Sequence, residues 1–217
     1  MITTLAAILA AYAIGSLPVA WLAARVAGVD LRHRGSGNPG ASNVIQSVSP
    51  VLGVAVGIAQ IAQGLLAVLL ARAIDLSPGA QVAAGSAAVI ANDWNPWLRF
   101  TGGRGIGVTL GVLLGVSWVA LAAFVLVAVF GRLRRAAPQG VALALVAAPL
   151  GAGIAGDARA TVIGVALISV IAFVKRLTAN EAPSPSAPRP DVWINRLWYD
   201  RDIRDREAWL RRGARHA

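Results

Sequence analysis

The sequence contains no cysteine and only two histidines, His33 and His216. Without cysteine the chain cannot form disulfides, use a thiolate nucleophile or build a cysteine-based metal site. These shortages, together with few acids, exclude a Ser-His-Asp triad, paired-carboxylate hydrolysis and a bound metal, because the necessary side chains are missing. Ahead of residue 181 the acids number four against twelve lysines and arginines, and they are Asp30, Asp75, Asp93 and Asp157.

Charged residues make up 14% of the 217 residues and hydrophobic residues 57%, with a mean hydropathy of +0.65. This composition is typical of a membrane protein. Residues 2–29 have no charge before Arg25, and 51–71 and 106–130 have none at all. Each run can cross a hydrocarbon core of roughly 30 Å. We interpret the first run as a retained helix, not a cleaved signal peptide, because it lacks a basic start and similar runs follow it.

The net charge is +10 and the isoelectric point is near 11.7. Such a charge is compatible with nucleic-acid binding, but the arginines lie at the ends of apolar segments and not on one soluble basic face. Membrane orientation, anionic lipid and an anionic substrate explain this distribution better. We therefore expect no nucleic-acid partner.

The fold class predicted is all-α: a polytopic integral membrane bundle of about seven short transmembrane helices. The uncharged run at 106–130 is interpreted as two short passes, because "GVSW" at 115–118 interrupts it. With that break, the N-terminus outside and the C-terminus cytoplasmic, the basic connections fall in the cytoplasm, as the positive-inside rule requires. The candidate spans are 2–28, 51–73, 79–92, 106–131, 139–155 and 160–174.

A Pro/Ser-rich linker at 179–190 separates the membrane domain, 1–178, from a basic tail, 191–217. Over 193–198 the apolar residues of the tail share one helical face. One interpretation is a helix lying on the inner membrane surface against anionic lipid. Another is a helix folded back on the cytoplasmic loops, and a disordered tail is the third.

The polar stretch "HRGSGNPGASN", 33–43, interrupts the apolar chain. Glycines let a backbone approach a ligand closely, and serine and asparagine add uncharged hydrogen-bonding groups. With Arg32 and Arg34 beside it, the stretch is suited to cradle an anion or a carbonyl group. It is not a P-loop, because the Gly-Lys-Ser/Thr ending is missing. A glycine-rich turn between two helices explains the composition equally well.

A second polar stretch, "NDWNPWLRFTGGRGIG" at 92–107, surrounds Arg104 with glycines and leads into an apolar run. Free N–H groups at a helix start together with a guanidinium suit a phosphate group. The alternative is a glycine-rich helix start whose arginine reaches the lipid headgroups. We interpret Trp94, Trp97 and Trp118 as interfacial anchors, and the stretch "VKRLTAN" at 174–180 as a positively charged flank.

These residues together resemble the bacterial acyl-phosphate:glycerol-3-phosphate acyltransferases, integral membrane enzymes of phospholipid synthesis. "GSGNPGASN" at 35–43 is similar to the family's first motif, "WLRFTGGRG" at 97–105 to its second, and "KRL" at 175–177 to the end of its third. The resemblance implies seven helices in the bacterial plasma membrane and an active site open to the cytoplasm. It implies acyl transfer from acyl phosphate to the 1-hydroxyl of glycerol 3-phosphate, giving lysophosphatidic acid without a cofactor.

Carried onto this sequence, the resemblance assigns catalytic roles to Ser36, Asn38 and Arg104. Ser36, Gly37, Asn38 and Asn43 would cradle the acyl phosphate or the oxyanion, and Arg104 would hold a substrate phosphate. The residues expected to bind substrate are Arg34, Gly35, Gly37, Gly40, Ser42, Asn43, Asn92, Gly102, Gly103 and Gly105.

The chain departs from the family pattern at several positions. Arg104 replaces a lysine, which keeps the charge but not its point-charge geometry. A second hypothesis follows from these departures: a catalytically silent relative that binds lipid or partners a true acyltransferase through its tail. The other replacements are Gln46 for arginine, Gln60 and Gln63 for an acid and a lysine, Asn92 for histidine, and Val170 and Phe173 for histidine and asparagine.

Overall fold

The computed structural model describes residues 1–179, 189–205 and 207. Apart from two short 3₁₀ turns, Leu31–His33 and Pro96–Leu98, the regular elements of this described part are α-helices, which confirms the all-α prediction. The helices are α1 (Ile2–Ser16), α2 (Val19–Val26), α3 (Ala41–Ser47), α4 (Pro50–Ala73), α5 (Pro78–Asp93), α6 (Ile106–Val116), α7 (Trp118–Leu133), α8 (Ala137–Ile154), α9 (Arg159–Thr178) and α10 (Arg189–Tyr199).

Helices occupy every segment that the sequence predicts as a membrane span. Within the described residues, four stretches are long and apolar enough to cross a membrane: Ile2–Val26, Pro50–Ala73, Ala137–Ile154 and Arg159–Thr178. The helices α6 and α7 are apolar but shorter, and α5 has 16 residues. The number of crossings and the sides on which the termini lie stay predictions.

The first apolar run is two helices, whereas the sequence predicts one continuous span. Pro18 has no N–H to donate, and the backbone leaves the helical conformation at Leu17 and Pro18, between α1 and α2. Gln63 of α4 adds hydrogen bonds at this interruption, because its Nε2 donates to the carbonyls of Ile14 at 2.6 Å and Leu17 at 3.1 Å. Inside a membrane an interrupted helix needs such partners, because no water is available to supply them.

The predicted interruption at 115–118 is confirmed, because α6 ends at Val116 and α7 begins at Trp118. Ser117 between them is extended, with φ −160° and ψ 104°. Its Oγ accepts a hydrogen bond from the Ala120 N–H at 3.2 Å and so caps α7. A serine at this point ends one helix and starts the next.

Small residues bring neighbouring helices into close contact. A Cβ on Gly64 of α4 would collide with the backbone of Val108 in α6. Gly131 of α7 and Gly140 of α8 face each other, and neither has room for a side chain. Such backbone contact is common between helices in membranes, where van der Waals packing drives association.

Large apolar side chains cover the outside of the bundle. Ile58, Leu126, Phe130, Leu150 and Leu167 are each more than half exposed. A soluble monomer rarely exposes so many in contiguous patches. This outer surface fits a hydrocarbon environment, as the sequence predicts.

The helix α10 lies against α8 and α9. Arg176 of α9 donates to the Leu197 carbonyl at 2.8 Å, and Arg196 of α10 donates to the Leu177 carbonyl at 2.8 Å. Arg196 also forms an ion pair of 2.6 Å with Asp202, and both side chains are buried. The described part of the tail is therefore folded back onto the membrane domain.

Docking leaves one face of α10 uncovered, with Trp193, Ile194 and Trp198 exposed. The structure thus has the tail arrangement that the second interpretation describes, while contact of the uncovered face with anionic lipid stays a prediction. Residues 180–188, which form most of the predicted linker, and residues 206 and 208–217 of the tail lie outside the described residues.

Candidate active site

The loop between the first 3₁₀ turn and α3 is organised around the Asn43 side chain, which is buried. Its Nδ2 donates to the carbonyls of Arg34 at 2.9 Å and Asn38 at 3.0 Å. Its Oδ1 accepts from the Ser36 N–H at 3.2 Å and the Ser47 hydroxyl at 3.0 Å. Because the protein itself uses these groups, Asn43 shapes the loop, whereas the sequence predicted a substrate contact.

Two glycines of this loop have the left-handed backbone that glycine adopts without strain, Gly35 with φ 59° and Gly37 with φ 67°. A Cβ on Gly35 would also collide with Asn43. Gly40 is different, because its backbone is extended and a Cβ there would meet only the Asn38 amide at 3.6 Å. The loop therefore depends on Gly35 and Gly37 for its path.

The second glycine-rich loop is pinned to the C-terminal end of α5. The Gly103 N–H donates to the Asn92 carbonyl at 3.0 Å, and Gly102 lies so close to the carbonyls of Asn92 and Asp93 that no side chain fits. Gly105 adopts φ 63° just ahead of α6 and lies against the Asp93 carboxylate. These contacts fix the backbone on both sides of Arg104.

The two loops meet at one cavity of about 680 Å³, part of which is open to solvent. Ser36, Gly37 and Asn38 of the first loop and Arg104 of the second line it. The tail supplies a further wall through Arg196, Asp200, Arg201 and Asp202. The cavity thus combines both predicted polar stretches with a segment that sequence analysis did not assign to the site.

The lining of this cavity carries more positive than negative charge. The Arg32 guanidinium beside Asp30 donates to that carboxylate at 2.7 and 3.0 Å, and this holds the pKa of the Asp30 carboxyl well below its usual range. Arg104 lies 2.8 Å from Asp200. Four guanidinium groups, of Arg32, Arg104, Arg196 and Arg201, surround a space whose lining acids are Asp200 and Asp202. Such a cavity suits an anionic ligand.

Beneath the second loop lies a buried group of charges. Asp93 is completely buried, and neither carboxylate oxygen has a hydrogen-bond partner among the described residues. Its electrostatic neighbours are the cations Lys175 and Arg104 and the acid Asp200. Lys175 is 1% exposed, and its ammonium lies 5.3 Å from the centre of the Trp94 ring. Cations from two different elements therefore oppose the cost of burying this carboxyl group.

The structure corrects the interpretation of "VKRLTAN" as a positively charged flank. The helix α9 continues to Thr178, and both Lys175 and Arg176 are buried inside the protein. Trp94, taken as an interfacial anchor, instead packs against Lys175. A basic pair at the end of an apolar span looks the same in sequence whether it points to headgroups or inward, so only the tertiary packing distinguishes them.

The predicted site residues fall into three groups in the structure. Ser36, Gly37, Asn38 and Arg104 line the main cavity. Asn92, Gly102 and Gly103 line a smaller one of about 190 Å³ beside it. The remaining ones lie outside the lining of both: Arg34 and Ser42 are exposed, and Gly35, Gly40, Asn43 and Gly105 belong to the backbone framework of the loops.

The departures from the family pattern lie mostly away from the main cavity. Gln63 binds the carbonyl groups at the end of α1, as described above. Gln46 is exposed on α3, and its Nε2 donates to the Ser42 carbonyl. Val170 is 56% exposed on the outer side of α9, and Phe173 packs against an apolar cluster. Of these replacements, Arg104 alone lines the main cavity.

The helical bundle and this cavity define an integral membrane protein with an arginine-rich cavity at the junction of two glycine-rich loops. A family model described as "Glycerol-3-phosphate acyltransferase" matches residues 5–180. The chain belongs to this family, which confirms the resemblance that its motifs suggest.

Curated relatives agree with the family assignment. Glycerol-3-phosphate acyltransferase 4 of Dehalococcoides mccartyi (strain CBDB1) is 36% identical over 212 residues, covering 94% of this chain and 91% of the relative. Glycerol-3-phosphate acyltransferase of Aromatoleum aromaticum is 41% identical over 167 residues, covering 76% and 84%. The chain thus spans nearly the whole length of these relatives.

Solved structures share the fold. The crystal structure of PlsY (YgiH), an integral membrane glycerol 3-phosphate acyltransferase, in its glycerol 3-phosphate form has a TM-score of 0.78 and 26% identity, covering 94% of this chain and 96% of that chain. The lysophosphatidic acid form of PlsY matches with a TM-score of 0.74 at 24% identity. This agreement extends the helical membrane architecture over most of the chain.

Proposed function

We propose that this protein transfers an acyl group from acyl phosphate to the 1-hydroxyl of glycerol 3-phosphate, releasing phosphate and forming lysophosphatidic acid. The reaction would take place at the cytoplasmic face of a bacterial plasma membrane. The observation that carries the proposal is the cavity in which Ser36, Asn38 and Arg104 converge, with an excess of guanidinium groups around it. Family membership supports glycerol 3-phosphate as the acceptor.

Side chains, more than backbone amides, are available in this cavity to hold the substrates. The Ser36 N–H donates to Asn43 and the Gly37 N–H donates to the Arg34 carbonyl at 3.0 Å, so both amides are engaged within the loop. The Asn38 Oδ1 is buried and has no hydrogen-bond partner among the described residues. We infer that Asn38 accepts a hydrogen bond from a substrate hydroxyl, and that Arg104 holds a phosphate group.

The chemistry asks little of the protein beyond positioning. The hydroxyl oxygen forms a bond to the acyl carbon, the bond from that carbon to the phosphate oxygen breaks, and the hydroxyl proton leaves with the phosphate. Phosphate is itself a good proton acceptor, so no histidine or buried base is needed. The protein must hold two anions together, align the hydroxyl and stabilise the developing oxyanion. Ser36 and Arg104 are placed to supply that stabilisation.

The alternative of a silent relative is not favoured by the geometry. Val170 and Phe173, where the family usually has histidine and asparagine, lie outside the lining of the main cavity. Gln63 instead donates a hydrogen bond to a carbonyl group near the end of α1. The residues that would act on the substrates are therefore still gathered in one place.

The test is the rate of lysophosphatidic acid formation by the purified protein in lipid nanodiscs, with acyl phosphate and glycerol 3-phosphate. Arg104→Ala removes the guanidinium that holds the phosphate, and kcat/KM should fall by about 10²- to 10³-fold. Arg104→Lys should recover part of that loss, because it restores the charge but not the planar fork.

Arg99→Ala is the matched control, because Arg99 belongs to the same loop but is exposed and lies outside the lining of the cavity. It should retain the activity of the parent protein. Equal activity in Arg104→Ala and the parent protein would contradict the proposal, as would the absence of activity in the parent protein itself.

A further inference from the structure

The tail places a carboxylate against the arginine that we assign to the substrate phosphate. Asp200 Oδ1 lies 2.8 Å from Arg104 Nε, and both side chains are largely buried, with exposures of 28% and 17%. The N–H does not point at the oxygen, so Arg104 Nε, Arg104 Nη1 and Asp200 Oδ1 have no aligned hydrogen bond within the described part of the chain. The pair is held by charge alone.

The local backbone explains why Asp200 is in this position. The helix α10 ends at Tyr199, and Asp200 reverses the chain with φ 55°. Its N–H donates to the Arg196 carbonyl at 3.1 Å, and Arg196 in turn pairs with Asp202 at 2.6 Å. A short turn closed at both ends therefore directs the Asp200 side chain at the cavity.

The turn is fixed to the membrane domain by contacts that do not involve the Asp200 side chain. Arg176 donates to the carbonyls of Leu197 at 2.8 Å and Pro138 at 3.1 Å. Arg196 donates to the Leu177 carbonyl. Asp200 also interacts electrostatically with Arg176. Because the hydrogen bonds of Arg176 and Arg196 hold α10 in place, we expect the tail to stay docked when the Asp200 carboxylate is replaced.

We propose that Asp200 is an internal anion that occupies Arg104 in the free protein and that a dianionic phosphate group displaces. This proposal rests on the proposed function in one respect, the assignment of Arg104 to a phosphate. A carboxylate carries one charge and its contact here is poorly aligned, whereas a phosphate dianion carries two charges and can bind a guanidinium with two parallel hydrogen bonds. A phosphate dianion is therefore able to displace Asp200 from Arg104.

While Asp200 occupies Arg104, every anion that needs this arginine binds more weakly. The apparent dissociation constant rises in inverse proportion to the fraction of protein in which the arginine is free. Removing the carboxylate should therefore tighten the binding of phosphate. A partly exposed ion pair of this kind corresponds to a change of about threefold.

The experiment measures binding of inorganic phosphate to the full-length protein in nanodiscs by isothermal titration calorimetry, alongside the KM for glycerol 3-phosphate. In Asp200→Asn both constants should fall by about threefold, and Asp200→Ala should act in the same direction. Asp205→Asn is the matched control, because it removes one negative charge from an exposed position of the same segment and keeps an oxygen to accept from the Glu207 N–H. It should leave both constants unchanged.

Several outcomes would overturn the proposal. Phosphate binding in Asp200→Asn that is unchanged or weaker than in the parent protein is one. Equal tightening in Asp205→Asn, which would indicate a general charge effect, is another, and so is the absence of measurable phosphate binding in every variant. Tighter phosphate binding by Asp200→Asn in a protein that makes no lysophosphatidic acid would contradict the proposed function and leave this inference standing.

Discussion

Asn43, at the start of α3, and Arg104, in the second glycine-rich loop, have different roles. The amide of Asn43 is used within the protein, where it binds four groups of its own loop and α3. The guanidinium of Arg104 faces the cavity and has N–H groups without aligned partners in the described structure. Asn43 therefore shapes the loop, and Arg104 is the residue that we propose binds the substrate phosphate.

Asn43→Ala should destabilise the protein as well as inactivate it. The substitution leaves the Ser36 N–H without its partner and removes one hydrogen bond each from the Arg34 and Asn38 carbonyls, and a buried polar group left unpaired costs about 1–3 kcal/mol. The unfolding temperature of the detergent-solubilised protein, followed by tryptophan fluorescence, should fall, and so should the rate of acyl transfer.

Gln46→Ala is the control for this prediction. It lies on the same helix, α3, where it is exposed and makes a bond to a carbonyl one turn away. Its unfolding temperature should stay close to that of the parent protein. An unfolding temperature in Asn43→Ala as high as in Gln46→Ala would show that the amide does not organise the loop.

At the residue scale the sequence predicted which residues lie close together, but not which of their side chains face the cavity. The motif 35–43 correctly predicted a special loop, and Ser36, Gly37 and Asn38 do line the cavity. Asn43 and Asn38 carry the same amide group. They differ only in whether groups of the protein itself already form hydrogen bonds with that amide. That difference depends on tertiary hydrogen bonds, which residue type and spacing do not encode.

At the scale of helices, we expect substitutions of two glycines of α8 to have opposite effects on the stability of the bundle. Gly140 faces Gly131 of α7 with no room for a side chain, whereas a Cβ on Gly153 would meet nothing within 4 Å. Gly140→Ala should destabilise the bundle by about 1–3 kcal/mol, because it forces α7 and α8 apart. Gly153→Ala should stabilise it slightly, by up to about 1 kcal/mol, because alanine favours a helix more than glycine does.

Unfolding temperatures of the two alanine variants in the same detergent provide the measurement. Compared with the parent protein, we expect a lower unfolding temperature for Gly140→Ala and an equal or higher one for Gly153→Ala. A similar change in both would mean that the contact between α7 and α8 does not depend on its small residues.

The positions of the helices were largely predictable, and their interruptions only in part. Uncharged runs predicted α4 to α9, and the break at Ser117 was visible as "GVSW". The break at Pro18 was not predicted, although proline is itself a signal, because the run on both sides of it is uniformly apolar. The burial of Lys175 could not be predicted, because its partner Asp93 lies 82 positions earlier in the sequence and meets it only in the folded bundle.

For the whole molecule, the absence of cysteine makes the predicted topology directly testable. Ala158, in the connection between α8 and α9, is predicted outside, and Arg134, at the end of α7, is predicted in the cytoplasm. Both are exposed. A membrane-impermeant maleimide should label Ala158→Cys in intact cells and should label Arg134→Cys only after the membrane is permeabilised.

This pair also distinguishes seven crossings from six. If α6 and α7 formed a single pass, with the N-terminus outside, Arg134 would lie on the outer side. Labelling of Arg134→Cys in intact cells would therefore contradict the seven-helix topology. The cysteine-free parent protein supplies the background for both measurements.

The position of the tail was the part of the whole molecule that sequence analysis left open. The Pro/Ser-rich stretch at 179–190 carries no information about the direction in which the following helix turns. Docking is decided instead by two arginines, Arg176 and Arg196, that donate to carbonyl groups on each other's helices. Backbone carbonyls are present at every residue, so no sequence pattern identifies the ones that are used.

We propose that the protein joins an acyl group from acyl phosphate to glycerol 3-phosphate in this cavity. The most direct test of this proposal follows both products in one reaction, with phosphate measured by a colorimetric assay and lysophosphatidic acid by mass spectrometry, for the purified protein in nanodiscs. We expect equal amounts of the two products, with phosphate release dependent on glycerol 3-phosphate and nearly abolished in Arg104→Ala. Phosphate release without lysophosphatidic acid, or neither product from well-folded protein, would contradict it.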